Sequence, residues 1–211
     1  MKRLALMRLR RGFTLIELMV VVAVVAVVLM MAAPAFRDMI VKQRLQGTAD
    51  QFMTDVQFAR TEAASRQTTT RLRFKTVTGM TCYIVHTCSP SATAACSCDC
   101  SAAAGSRCSN PEDKEIRTVQ LNAAQSIALF PVKNDGNSAV DANIAFDPAT
   151  GGVTSYFPPL LFGPGPPAGG ALWVKIGRIG TPGASIRTIV NTTGRAQACA
   201  QGGSISGMSA C

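Results

Sequence analysis

Residues 8–34 read RLRRGFTLIELMVVVAVVAVVLMMAAP, and the rest of the chain takes its meaning from this stretch. Between Phe13 and Ala33 the only charged residue is Glu17. At about 1.5 Å rise per residue, an apolar helix of that length crosses the hydrocarbon core of a bilayer. Ahead of it stand Lys2, Arg3, Arg8, Arg10 and Arg11, with no acidic residue among them. Basic residues beside a first membrane segment hold that side in the cytoplasm, so the expected topology exports everything after the helix. The whole chain carries a formal charge of +9, yet without residues 1–12 it keeps 16 basic residues against 12 acidic, a net of +4. Much of the basicity is therefore a topology signal and says little about nucleic acid.

The remaining length of the 211-residue chain suits one globular domain behind an anchor. A secretory signal also begins basic and turns apolar, but its apolar region is shorter, about 7–15 residues, and is cut on its far side. The apolar run here is longer, and its distinctive residues lie on the cytoplasmic side.

Those residues, Gly12-Phe13-Thr14-Leu15-Ile16-Glu17, resemble the prepilin peptidase recognition motif of type IV pilins and type II secretion pseudopilins. The resemblance implies a cut between Gly12 and Phe13, N-methylation of Phe13, and retention of the apolar helix. Pro34 stands where such pilins commonly carry a helix-kinking proline. Glu17 also has a physical reading of its own. A carboxylate inside a spanning helix costs roughly 2.5–3.5 kcal/mol and marks a functional candidate. It either snorkels to the interface or meets the new α-amino group of Phe13, its own or a neighbour's, which offsets the burial of both charges.

After Pro34 the pattern stays helical and becomes amphipathic. Leu45, Ala49, Phe52, Met53, Val56, Ala59 and Ala63 recur at steps of three and four, while Arg44, Gln51, Asp55, Arg60 and Glu62 largely fall on other faces. From Thr68 the period shortens, and strands are expected at 71–77, 81–87, 116–121, 127–132, 144–147, 171–176 and 186–190. The expected fold is α+β: a long N-terminal helix, membrane anchor plus amphipathic half, packed on a mainly antiparallel sheet or small sandwich. The expected division is a leader at 1–12, a transmembrane helix at 13–33, its amphipathic continuation at 34–66, and a β-rich head at 67–211.

Three further stretches resemble FimT-like minor pilins and H-type pseudopilins: Phe58–Ala63, Ile144–Pro148 with its Gly151-Gly152 turn, and Ile186–Ala198, a strand, a Gly-Arg turn and a short return strand. In characterised FimT-like proteins a C-terminal Gly-Arg-x-Arg motif binds DNA. Gly194 and Arg195 match it, but Gln197 occupies the second arginine position. Fewer cations mean less counterion release, unless Arg178 or Arg187 lies nearby; otherwise Arg195 is a solvated turn residue.

Six of the eight cysteines (Cys82, Cys88, Cys96, Cys98, Cys100 and Cys108) fall in a loop at 82–108. His86 is close in sequence, and alternating cysteines suggest a soft metal, but the spacing is not that of a paired C-x-x-C zinc site. In an exported, Ala/Ser-rich loop with no core of its own, disulfides are the simpler expectation, with no metal. Neighbouring alternating cysteines pair poorly with one another, so bridges are expected to run to Cys82, Cys88 and Cys108; fifteen connectivities remain open. Cys199 and Cys211 either pair together, worth about 3 kcal/mol on the loop-entropy model, or cross to the loop.

No enzyme and no cofactor are expected. His86 is the only histidine, and no motif nominates a nucleophile. Asp135, Asp141 and Asp147 do not follow a calcium-loop order, and the prolines of 157–170 remove the amides a phosphate cradle needs. The resemblance implies an inner-membrane, single-pass prepilin with its N-terminus cytoplasmic and its head periplasmic, later joining a pilus or pseudopilus. Expected partners are prepilin peptidase, other pilins, the inner-membrane assembly platform, membrane lipid before assembly and, as an alternative, DNA.

Overall fold

The computed structural model describes residues 13–89, 96, 98–122, 124, 126–132, 142–157, 172–179, 183–203 and 205–211. Gly12, Asp135, Asp141 and residues 158–170 of the proline-rich stretch lie outside them. Helix α1 spans Leu15–Arg66 and runs unbroken through Pro34 and Gly47. The chain divides into two compact units, one ending at Val41 and the other beginning at Lys42.

In the first unit the large apolar side chains from Leu15 to Met31 are exposed. So much contiguous apolar surface is not stable against water. This segment is long and apolar enough to cross a membrane, and its surface suits lipid tails or sister helices.

The second unit is built on two antiparallel sheets. The strands are β1 Thr70–Val77, β2 Met80–Thr87, β3 Lys114–Asn122, β4 Ile127–Val132, β5 Asn143–Phe146, β6 Val153–Phe157, β7 Leu172–Arg178, β8 Ser185–Val190 and β9 Ala196–Gln201. One sheet has the order β3-β2-β1-β5-β6 and the other β4-β7-β8-β9. Every expected strand appears, with bounds shifted by a few residues at most, including the short return strand as β9. Strand β6 was not expected. Its VTSYF run falls between a Gly-Gly turn and a proline-rich stretch, and it exists by pairing with β5.

The helix meets the first sheet through its apolar stripe: Leu45, Ala49, Phe52, Val56, Ala59 and Ala63 are all buried. Phe52 packs tilted against Phe74 of β1 and edge-on against Tyr83 of β2, with ring centroids 5.7 and 5.5 Å away. Burying one such ring contributes roughly 1.5–3 kcal/mol, and ring pairs add about 0.5–1.5 kcal/mol more. Asp55, placed by helical spacing with the polar faces, is completely buried. Its Oδ2 accepts a 2.7 Å hydrogen bond from the Tyr83 hydroxyl, and its Oδ1 lies 3.0 Å from Nη1 of Arg117 on β3. Burial pushes the Asp55 carboxyl above its ordinary pKa, while Tyr83 and Arg117 pull it back. The pair of partners makes a buried carboxylate tolerable there.

The sheets join where the Leu129 amide of β4 donates to the Thr81 hydroxyl of β2 at 3.1 Å. The inward side of the second sheet includes Leu172, Val174, Ile176, Ile186, Thr188 and Val190, all fully buried, with Ile127 and Leu129 of β4 beside them.

Candidate functional site

At the N-terminus, Thr14 caps helix α1. The Glu17 amide donates to Thr14 Oγ1 at 3.3 Å, and the Leu18 amide donates to the Thr14 carbonyl at 3.2 Å. Thr14-x-x-Glu17 is the spacing of a capping box, in which a carboxylate three residues past the cap suits the positive end of the helix dipole. The signal is legible in the sequence, where the membrane cost of the carboxylate is the more conspicuous feature. Phe13 and Glu17 are both exposed in the isolated chain.

The three head segments singled out by resemblance converge. Gly151 and Gly194 both have positive φ, 64° and 74°. A Cβ on Gly194 would stand 2.8 Å from the Gly151 carbonyl oxygen, and one on Gly151 would stand 2.9 Å from Cγ and Nε of Arg60. The aliphatic stem of Arg60 thus runs against both turns, and only glycine fits at either position. Each turn is locked by its own side chain. Asp147 Oδ1 accepts from the amides of Ala149 and Thr150 and from the Thr150 hydroxyl, which holds its carboxyl below the ordinary carboxylate range. Asn191 Oδ1 accepts from the Arg195 amide at 2.9 Å and from the Thr193 hydroxyl. Packing accounts for Gly194 without any ligand. Arg195 and Gln197 are exposed beyond it.

The cysteine-rich segment lies over the outward face of the first sheet. Arg71 donates to the carbonyl of Cys96 at 2.9 Å, Arg73 to that of Cys98 at 3.5 Å, and Gln120 to that of Cys100 at 2.7 Å. Lys75 pairs with Asp99, and Arg107 with Glu115. Desolvation opposes ionisation of Asp99, but its bonds to Lys75 and Ser101 outweigh that and hold its pKa down at about 2. The bridges are Cys82–Cys100, Cys88–Cys96 and Cys98–Cys108, with Cys199–Cys211 separate at the C-terminus. Cys82, Ile84, Cys98 and Cys100 form a small second core, with Met80 and Cys108 against it. Strand β2 is therefore covered on both sides, which explains why every residue from Thr81 to Thr87 is buried.

The tail is pinned as well. The Ala200 amide donates to the Ser209 carbonyl, Ile205 is buried, and Gln46 of α1 donates to the Ser206 carbonyl. On the outward face of the second sheet, the Arg187 guanidinium lies 4.8 Å from the centre of the Trp173 ring. Lys175 is directly across from Arg187. Arg178 does not join the Gly-Arg turn. It ends β7 opposite Ile127, whereas the turn follows Val190, which pairs with Leu172 at the other end of the strand, about 20 Å away at ordinary strand rise.

His86, fully buried under the segment, has its Nδ1 3.6 Å from Cys96 Sγ. Burial pushes its pKa down to about 4; Asp113 opposes the shift and Arg71 adds to it. The folded state therefore binds fewer protons than the unfolded chain, whose histidine titrates near 6.5. Stability present at neutral pH is lost as pH falls from about 6.5 towards 4, by something on the order of 3 kcal/mol. Thermal melts of the head between pH 7.5 and 4.5 should show this decline in the unmodified protein and a flatter profile for His86→Gln. Parallel profiles would refute it.

Comparison with protein families gives two matches. The prokaryotic N-terminal methylation motif covers residues 7–33. The family described as Type II transport protein GspH covers residues 48–194. No curated protein and no solved structure matched the chain. The methylation motif implies processing by prepilin peptidase and assembly with other pilins, and the apolar helix is typical of a prepilin anchored in the inner membrane before assembly. With a family match over most of its length behind a prepilin N-terminus, on a long helix packed against two antiparallel sheets, this chain belongs to the GspH family of pilin-like proteins, structural and non-enzymatic subunits of pilus or type II secretion assembly.

Proposed function

We propose that the chain is a minor pilin of FimT type, which seeds or joins a type IV pilus and supports its biogenesis. The observation that carries this reading is the prepilin N-terminus followed by a GspH-family head, to which the β8–β9 hairpin adds the Gly194-Arg195 pair that FimT-like proteins also carry. In this account residues 1–12 are a leader, cut between Gly12 and Phe13, and Phe13 is N-methylated. The subunit waits in the inner membrane as a single-pass protein, surrounded by lipid, with its head periplasmic. The assembly platform then extracts it. Glu17 pairs with an α-amino group of Phe13 as the subunit enters the helix bundle, and Thr14 keeps the first turn closed around that carboxylate. Pro34 lets the helix bend into the filament. Loss of the gene should reduce surface piliation and leave type II secretion intact, and Glu17→Ala should leave the subunit in the membrane but out of the filament. Normal piliation with a secretion defect would instead favour a GspH-type pseudopilin.

A second reading is supported by the outward face of the second sheet. Lys175 and Arg187, the latter stacked on Trp173, give a basic, aromatic surface of the kind that binds nucleic-acid backbone and bases, and the β8–β9 turn adds the exposed Arg195. On this reading the subunit is a DNA receptor for uptake. A gel-shift series with the unmodified protein should show salt-sensitive binding, with Arg195→Ala and Arg187→Ala each lowering the salt slope by about one. Absence of any shift at low salt would eliminate it.

A further inference from the structure

The Cys88–Cys96 bridge differs from the others in what stands beside it. His86 Nδ1, Cys88 Sγ and Cys96 Sγ all lie within 4.8 Å of one another, and all three residues are buried. In a tetrahedral zinc site, with Zn–S about 2.3 Å and Zn–N about 2.0–2.1 Å, a sulfur and a nitrogen ligand stand roughly 3.6 Å apart. His86 Nδ1 and Cys96 Sγ are already at 3.6 Å. By contrast, Cys82–Cys100 and Cys98–Cys108 pack with Ile84 and Met80. Among the described residues no other group of three His, Cys, Asp or Glu side chains comes together in this way. Of the three, Cys88 also borders an open cavity of about 640 Å³, lined in addition by Arg66, Thr68, Thr87, Ser89, Glu112 and Lys114, which gives an ion a way in.

We propose that the reduced form of this protein binds one zinc-class cation through His86 Nδ1 and the thiolates of Cys88 and Cys96, so that metal binding and closure of this bridge exclude each other. The chemistry balances with a dithiol as reductant. Two electrons and two protons pass from the dithiol, its own sulfurs join as a disulfide, the Cys88–Cys96 bond breaks, and two thiols form. The cation then displaces both thiol protons to solvent and takes the lone pair of Nδ1, with the ring proton on Nε2. A newly exported chain is in this reduced state before its bridges close. The six cysteines from Cys82 to Cys108 offer fifteen pairings. A cation that occupies Cys88 and Cys96 withholds them while Cys82–Cys100 and Cys98–Cys108 form, and a disulfide oxidant then displaces it.

The test uses the full chain in detergent, reduced with a phosphine under anaerobic conditions and titrated with Co²⁺, with Zn²⁺ as competitor. The expected result is one Co²⁺ per chain with a thiolate-to-cobalt charge-transfer band that Zn²⁺ abolishes. Zn²⁺ should protect Cys88 and Cys96 from alkylation, mapped by mass spectrometry, while Cys82, Cys98, Cys100 and Cys108 still react. His86→Ala should weaken Co²⁺ binding at least tenfold. No charge-transfer band, protection of a different set of cysteines, or unchanged affinity in His86→Ala would each overturn the proposal. The alkylation map needs no variant, so it decides the matter even if His86→Ala does not fold.

Discussion

Phe52, held between Phe74 and Tyr83, is the contact through which helix and sheet become one body. It sets the rotation of the helix over the first sheet. One turn on, Asp55 then points down at the Tyr83 hydroxyl and towards Arg117. Towards the helix's C-terminal end, the same rotation lays the Arg60 stem against the two glycine turns. Asp55 is fully buried while Arg117 stays partly exposed, so desolvation of the carboxylate offsets much of the attraction and the pair is weak evidence for stability. Its value here is in selecting one rotation and one register among those that the apolar stripe alone would accept.

A helix covers only one face of a sheet, and the opposite face of β1–β3 carries Arg71, Arg73, Lys75, Cys82, Ile84 and His86. The cysteine-rich segment covers that face with very little apolar bulk, since it is mostly alanine, serine and cysteine. It does so with main-chain carbonyls that accept from the arginines and with three closed loops, each worth about 3 kcal/mol on the loop-entropy model. Such a cover is available only where thiols are oxidised. The disulfide chemistry of the head fits the exported position that the basic N-terminus leads one to expect.

Much of this was legible in the sequence, for reasons that differ by element. The apolar helix is plain because a lone charge between Phe13 and Ala33 leaves few alternatives, and the helix stripe because its period holds from Leu45 to Ala63. Asp55 was misplaced because local spacing cannot register a hydroxyl on β2 or a guanidinium on β3, both far along the chain. Strand β6 was hidden by its proline-rich neighbour. Alternation among the cysteines pointed to bridges running outward from Cys96, Cys98 and Cys100, but which sulfur meets which depends on how the segment lies across β1–β3. In sequence Gly194 resembles part of a binding motif, whereas its neighbours show a backbone approach that no side chain would permit.

The central claim is that the first sheet is held from both sides, by α1 on one face and by the disulfide-closed segment on the other. Hydrogen exchange of the full chain in detergent, oxidised and then reduced in metal-free buffer, tests this most directly. The account predicts that the amides of β2, residues 80–87, are among the slowest to exchange when the bridges are closed, and that reduction strips this protection across β1–β3. If β2 kept its oxidised-state protection after all eight cysteines were reduced, the segment would be decoration and the account would be wrong.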